Sequence, residues 1–362
     1  MNRPPQIGGA PPVTIRGDPP PHGPAFLAAD IAPSRGMMLL QARLRLPSGE
    51  VVDALTSPAP ADAARTLDGG PADFAGNHAF SFGGAILAPY ANRIRGRAVP
   101  ERREIETLVD GKIMRLPRNW GGKATGAEQY AMHGLILNAA VTDDQPGADI
   151  LTGTLDAGGF AGRWPSRTEL TFEWRIARGA LSLKITARNT GTEVLPIGLG
   201  WHPYFALPSG DRRQARLRLP AASRVEINDY DEVLPTGRLL AVAGTPYDFS
   251  AEGGAALGGL YLDDCFTDLQ REAGLAVAEV VDPAAGLGLR ITSPSARVKA
   301  IQVYAPRDRP FVVVEPQFNL ADPYGAVWPE GRDTGMVRLS LGETVSYEVR
   351  VEPFALDPIR FK

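Results

Sequence analysis

The chain has 362 residues, 44% hydrophobic and 22% charged, with 38 basic against 41 acidic side chains and a formal net charge of −3. That balance suits a globule with a sizeable core and excludes the basic surface that nucleic acid or an anionic membrane would select. The single cysteine, Cys265, excludes an intrachain disulfide and a thiolate metal cluster, and no apolar run reaches membrane-spanning length.

Forty glycines and 33 prolines are spread along the chain, pointing to many turns and many short strands. Residues 1–36 hold nine prolines, including Pro19-Pro20-Pro21, and are expected to form an extended arm with little order of its own. They lack a charged start followed by an apolar core, so no secretory signal is expected; with the lone cysteine, this points to the cytoplasm. Residues 37–362 are expected to form one domain. Leu40, Ala42, Leu44 and Leu46 alternate with Gln41, Arg43 and Arg45, a half-buried strand, and Pro47-Ser48-Gly49 turns. Residues 51–75 are mixed, with room for a short helix. Phe82 to Ile94 is an apolar approach that ends on Asn92-Arg93.

The pattern is clearest from Thr168. Leu170, Phe172, Trp174 and Ile176 alternate with polar residues, Arg178-Gly179 turns, and Leu181, Leu183, Ile185 and Ala187 alternate again. That predicts an antiparallel hairpin with one buried face. Similar runs cover 215–219, 237–243, 287–292 and 298–304, and 337–341 with 345–351 read as another hairpin around Gly342-Glu343. No helical periodicity of comparable length competes. The predicted fold is a large antiparallel β-sandwich. A phosphate-binding Gly-Lys-Ser/Thr loop, a Gly-x-Ser-x-Gly elbow and a His-Glu-x-x-His zinc helix are all missing.

Four histidines exist, and His22 and His78 fall in loop-like surroundings. His133 precedes Gly134, which permits close backbone approach. His202 lies in Gly200-Trp201-His202-Pro203-Tyr204-Phe205, where Pro203 biases it toward extended geometry. Taken alone, His202 reads first as a buried histidine with a satisfied hydrogen bond. Glu315 ends the apolar run Phe311-Val312-Val313-Val314, where a carboxylate must be paired, hydrogen-bonded or used. An imidazole and a carboxylate at one site would supply an acid and a base. Asn92-Arg93 offers a fork of donors, and Asp263 an acceptor near Phe266.

These pieces, in order, resemble the aldose 1-epimerases, the galactose mutarotases. The resemblance runs over roughly 37–352 through Asn92-Arg93-Ile94, His133-Gly134, His202-Pro203-Tyr204-Phe205, Pro235-Thr236-Gly237 with Thr245-Pro246-Tyr247-Asp248-Phe249, Asp263, Gln302-Val303-Tyr304 and Glu315-Pro316-Gln317. It implies a galactose mutarotase-like supersandwich with neither metal nor organic cofactor, and an isomerase that interconverts the α and β anomers of a free sugar. It assigns Glu315 as the base on the anomeric hydroxyl and His202 as the acid on the ring oxygen, with Asn92, Arg93, His133 and Asp263 holding the sugar. An anion near His202 is expected to raise its pKa toward a usable acid.

Several features depart from the family pattern. Ala206-Leu207 follows the His202 motif and Phe318-Asn319-Leu320 follows Glu315-Pro316-Gln317, so galactose is a poor default substrate. Residues 115–129 look expanded and read first as a surface loop, with a pocket edge as the alternative. Arg93, Arg95 and Arg97 would share one face of an extended segment, which admits a hexose-6-phosphate 1-epimerase as the alternative. A sugar-binding protein without catalysis, or another reaction on a sugar, also fits the fold. A small-molecule sugar is the expected partner; the sequence leaves its identity and the oligomeric state open.

Overall fold

The computed structural model describes residues 5–357. Two antiparallel sheets carry the architecture, and their order follows from period-2 alternation along each strand. The first, eleven-stranded sheet runs Val13–Arg16, Ala25–Ala32, Met38–Arg45, Gly84–Leu87, Gly200–Ala206, Phe311–Gln317, Ala300–Ala305, Leu262–Leu269, Ala221–Ile227, Pro235–Ala241, with Val51–Asp53 paired to Met38–Arg45. The second, nine-stranded sheet centres on Thr168–Ala177, Ala180–Asn189, Thr344–Ala355 and Leu287–Ser293. The expected all-β sandwich is the observed fold.

The hairpin of Thr168–Ala177 with Ala180–Asn189 pairs in unbroken register from Thr168↔Asn189 to Ala177↔Ala180. Its turn residues, Arg178 and Gly179, both have positive φ (52° and 76°), the conformation that matches the strands' right-handed twist. The alternating apolar residues enter one core with the inner face of the first sheet. Trp174 of one sheet meets Trp201 of the other edge-on at 5.5 Å, and the Trp201 indole donates to the Gly84 carbonyl at 3.2 Å. Trp201 is therefore a core residue. Its strand neighbours His202 and Tyr204 point the opposite way, onto the outer face of the first sheet.

Two sequence expectations need correction. The proline-rich segment is not an arm of little order: Val13–Arg16 and Ala25–Ala32 are strands in the first sheet, in register with one another and with Met38–Arg45. Pro19-Pro20-Pro21 occupy the connection between them, where no ladder needs their missing N–H groups. Ile15, Phe26 and Ile31 of this segment are fully buried. The second correction concerns residues 337–351. Val337–Leu339 pairs with Leu195–Ile197, while Thr344–Ala355 lies between Ala180–Asn189 and Leu287–Ser293, so the two runs are not partners. The only α-helix among the described residues, Pro60–Thr66, falls within the mixed 51–75 stretch. Among the described residues, no helix is long and apolar enough to cross a membrane.

Candidate active site

The six residues expected to form a site are brought together on the outer face of the first sheet. His202 and Glu315 sit on adjacent antiparallel strands whose register, set by Gly200↔Gln317 and Tyr204↔Val313, puts them side by side. His202 Nε2 lies 3.3 Å from Glu315 Oε1. The strand Ala300–Ala305 continues the row, with Gln302 directly opposite Glu315. Asp263 follows from Leu262–Leu269, one step along and opposite Tyr304.

Asn92 and Arg93 arrive from outside this sheet, at the start of the short strand Arg93–Ile94 that pairs with Gln129–Met132. Asn92 adopts φ 61° and His133 φ 61°, uncommon for residues with a side chain, and the His133 N–H donates to the Asn92 carbonyl at 2.9 Å. Gly134, φ 88°, explains how His133 gets there: a Cβ on it would lie 2.2 Å from the Ala88 carbonyl oxygen. Close approach of two backbones thus delivers the His133 ring against His202, edge-on at 4.9 Å, with Phe80 on its other side at 4.9 Å.

Four of the side chains close a ring of hydrogen bonds. Asn92 Nδ2 donates to Gln302 Oε1 (3.0 Å) and Gln302 Nε2 to Asp263 Oδ1 (2.6 Å). Arg93 Nη2 donates to Asp263 Oδ2 (3.3 Å), and Arg93 Nη1 to Asn92 Oδ1 (2.9 Å). Arg93 Nε reaches Tyr130 Oη at 3.2 Å, and Tyr130 donates in turn to the Glu232 carbonyl at 2.8 Å. Gln302 and Tyr130 were given no role by sequence reasoning. Gln302 was findable, since it opens the Gln302-Val303-Tyr304 motif; Tyr130 carried no signal.

Burial sets the electrostatics. The side chains of His202 and Glu315 are 6% and 2% exposed, Asp263 15%, so the site reaches the surface on the Asp263 side. Desolvation pushes the Glu315 carboxyl well above its usual range, reinforced by Asp263 and opposed by Arg93. The same loss of water lowers both imidazoles, with Arg93 adding to each and His202 adding to His133. The expected upward shift of His202 is therefore reversed: removal from water dominates, and the Arg93 charge adds to it. The resting pair favours a neutral acid beside a neutral base. Both His133 ring nitrogens, His202 Nδ1 and Glu315 Oε2 are buried without a protein hydrogen-bond partner. Such groups are costly unless something polar engages them.

Ligand atoms of His133, His202 and Glu315 all lie within 4.8 Å of one another, a donor set that a divalent cation accepts by type. Arg93, whose charge already depresses both imidazoles, opposes a cation there. The buried Cys265 thiol is pushed up to about 12, so it offers no thiolate at neutral pH.

The three arginines proposed for a phosphate do not converge. Arg93 binds Asp263, Arg95 forks onto Glu128 (2.8 and 2.6 Å), and exposed Arg97 pairs with Glu106. The segment 115–129 lies one side chain removed from the site, through Phe80. Its Lys123 and Ala124 N–H groups donate to Asp231 (2.9 and 3.1 Å), and Trp120 packs edge-on against Phe80 at 5.2 Å.

A family model described as aldose 1-epimerase matches residues 54–351. Among solved structures, a galactose mutarotase/aldose epimerase homologue from C. elegans shares 17% identity at a TM-score of 0.71, over 96% of this chain and 99% of that one. A galactose mutarotase-like protein from Clostridium acetobutylicum also shares 17% at 0.71, over 92% and 93%. A galactose 1-epimerase from Lactobacillus acidophilus shares 16% at 0.62, over 96% and 99%. No curated protein matches the chain by sequence.

Proposed function

The chain belongs to the aldose 1-epimerase family, and on that premise we propose that it interconverts the α and β anomers of a free aldose through acid–base ring opening. The observation that carries this reading is the 3.3 Å separation of His202 Nε2 and Glu315 Oε1. The reaction moves protons at two oxygens attached to one carbon, the anomeric hydroxyl and the ring oxygen. A base and an acid in near contact can address both at once.

Glu315 takes the proton from the anomeric hydroxyl while His202 gives one to the ring oxygen. The bond from C1 to the ring oxygen breaks and C1 becomes an aldehyde. After rotation about C1–C2, His202 takes its proton back, the ring oxygen attacks the other face of C1, and Glu315 returns its proton to the carbonyl oxygen. The pair holds one proton throughout. In the closed site that proton favours Glu315, because burial penalises the ion pair. Sugar oxygens that replace the lost water favour its transfer to His202 without exchange with solvent. The ring of Asn92, Gln302, Asp263 and Arg93 orients hydroxyls, and the unpartnered nitrogens of His133 and His202 supply further polar contacts.

The test is polarimetry on freshly dissolved aldoses, corrected for spontaneous mutarotation. Glu315→Gln and His202→Asn should each slow turnover by about a hundredfold or more, the scale of a lost proton-transfer group. Near-wild-type rates in both variants would remove the assignment. Separate pairing of Arg95 and Arg97 speaks against the phosphorylated-sugar alternative.

A further inference from the structure

The outer face of the first sheet continues past the acid–base row. One two-residue step along the strands, about 7 Å, Tyr204, Val313, Tyr304 and Asp263 stand in unbroken cross-strand register. A second step reaches Phe311 and Tyr261. The rings form a contact series: His202 to Tyr204 at 5.1 Å, Tyr204 to Phe311 at 5.0 Å, Phe311 to Tyr304 at 5.9 Å, Tyr304 to Tyr261 at 6.3 Å and Tyr261 to Tyr230 at 4.9 Å. Tyr204, Phe311 and Val313 form a hydrophobic cluster separate from the main core, with Tyr304 packed against it. Exposure rises outward along the series: Tyr304 and Tyr261 are half-buried and Tyr230 is 40% exposed. This is the side on which Asp263 opens the site to the surface.

The outermost ring is held in place. Tyr230 Oη donates to Asp264 Oδ2 at 2.9 Å and lies 3.2 Å from Tyr247 Oη. Asp264 is itself fully buried and takes Arg224 Nη1 at 2.8 Å, while the Arg224 guanidinium covers the Tyr247 ring at 3.9 Å. Burial lifts the Asp264 carboxyl to about 6. A surface tyrosine tethered through its hydroxyl to a buried carboxylate presents its ring in one orientation, and such a buried group needs a reason to be kept.

Chemistry limits what this strip can hold. Ring opening needs an unsubstituted anomeric carbon at His202 and Glu315, so anything extending outward must be joined through another carbon of the same sugar. That describes the next residue of an oligosaccharide bound by its reducing end. The C–H faces of a pyranose suit aromatic rings, and the strip, about 14 Å from the acid–base row to its second step, is longer than one sugar ring. We propose that Tyr304, Tyr261 and Tyr230 form a subsite for the second ring of a reducing disaccharide or longer oligosaccharide, making such saccharides the preferred substrates. This rests on the epimerase reading above.

The experiment pairs each disaccharide with its own reducing-end monosaccharide: maltose and cellobiose with glucose, xylobiose with xylose, mannobiose with mannose. Polarimetric kcat/KM is measured for wild type, and calorimetric Kd for Glu315→Gln. At least one disaccharide should exceed its monosaccharide by about tenfold, the size of one or two aromatic contacts. Tyr230→Ala and the bulk-preserving Tyr261→Leu should abolish that preference and leave monosaccharide turnover within about twofold of wild type. Tyr261→Leu should melt like wild type, and Tyr230→Ala somewhat lower because it strips a partner from Asp264. Equal or better turnover and binding of the monosaccharide in every pair overturns the subsite while sparing the epimerase reading. Tighter disaccharide binding without acceleration of any sugar supports the subsite and overturns the epimerase reading. A preference unchanged in both tyrosine variants also overturns the subsite.

Discussion

Gln302 and Glu315 are direct cross-strand partners, so the amide that steadies Asp263 and the carboxyl at the acid–base pair share one face of two neighbouring strands. Gln302 also receives the Asn92 amide, which makes it the member of the hydrogen-bonded ring nearest the chemistry in the sheet. We expect Gln302→Leu to lower kcat/KM by about tenfold or more, since it strips a partner from a carboxylate and from a buried amide. Glu315 keeps His202, so KM should rise more than kcat falls. An unchanged KM in steady-state polarimetry would refute this positioning role.

Glu315 lowers stability where it is ionised. Its folded pKa is raised, so the native state holds a proton that the unfolded chain releases above about 4.5. Stability is therefore lost as pH rises from there toward the folded value. His202 acts in the other direction. Its folded pKa is lowered, so stability is lost as pH falls through 6.5, where the unfolded imidazole gains a proton that the native one refuses. Glu315→Gln should melt higher than wild type by a few degrees at pH 8, with the gain shrinking toward pH 4.5. Melting curves across that range test it, and a gain independent of pH would contradict the buried-carboxyl account.

Removing residues 1–36 should abolish the fold. The deletion takes away two strands, uncovers the edge of Met38–Arg45 and removes the buried Ile15, Phe26 and Ile31. Each such side chain contributes about 1.5–3 kcal/mol by burial, which together approaches the whole stability of an ordinary domain. Insoluble or non-cooperatively melting protein is the expected result. A soluble deletion with wild-type melting would show the strands to be dispensable.

Gly134→Ala should be severe, because its Cβ would meet the Ala88 carbonyl at 2.2 Å on a backbone with φ 88°. Gly111→Ala is the control: φ is 79°, but nothing lies within 4 Å of the added carbon. The control should cost about 1 kcal/mol for the left-handed backbone alone. Gly134→Ala should cost several times more in urea unfolding, and activity should fall as His133 is displaced. Equal costs would mean that the backbone approach is adjustable.

Much of this fold could be read from side-chain period alone. Leu170 to Ile176 and Leu181 to Ala187 announce their hairpin because one face of each strand is buried and the other is wet. The N-terminal strands were missed because Ala25–Ala32 carries mostly small residues between prolines, which blunts the alternation. Val337–Leu339 and Thr344–Ala355 looked like partners because a glycine turn separates them, but pairing between distant segments leaves no local trace. At the site, the residue types at 92, 93, 133, 202, 263 and 315 were legible through their ordered motifs. The sign of the His202 shift was not, since it depends on how much water the fold removes.

The closed circuit of Asn92, Gln302, Asp263 and Arg93 has one positive and one negative member, and beside it burial biases the His202–Glu315 pair toward its neutral form. An uncharged visitor to such a site gains no electrostatic guidance and arrives by unguided diffusion. Ionic strength should then leave the capture rate almost flat, whereas an ionic visitor would feel every added millimole of salt.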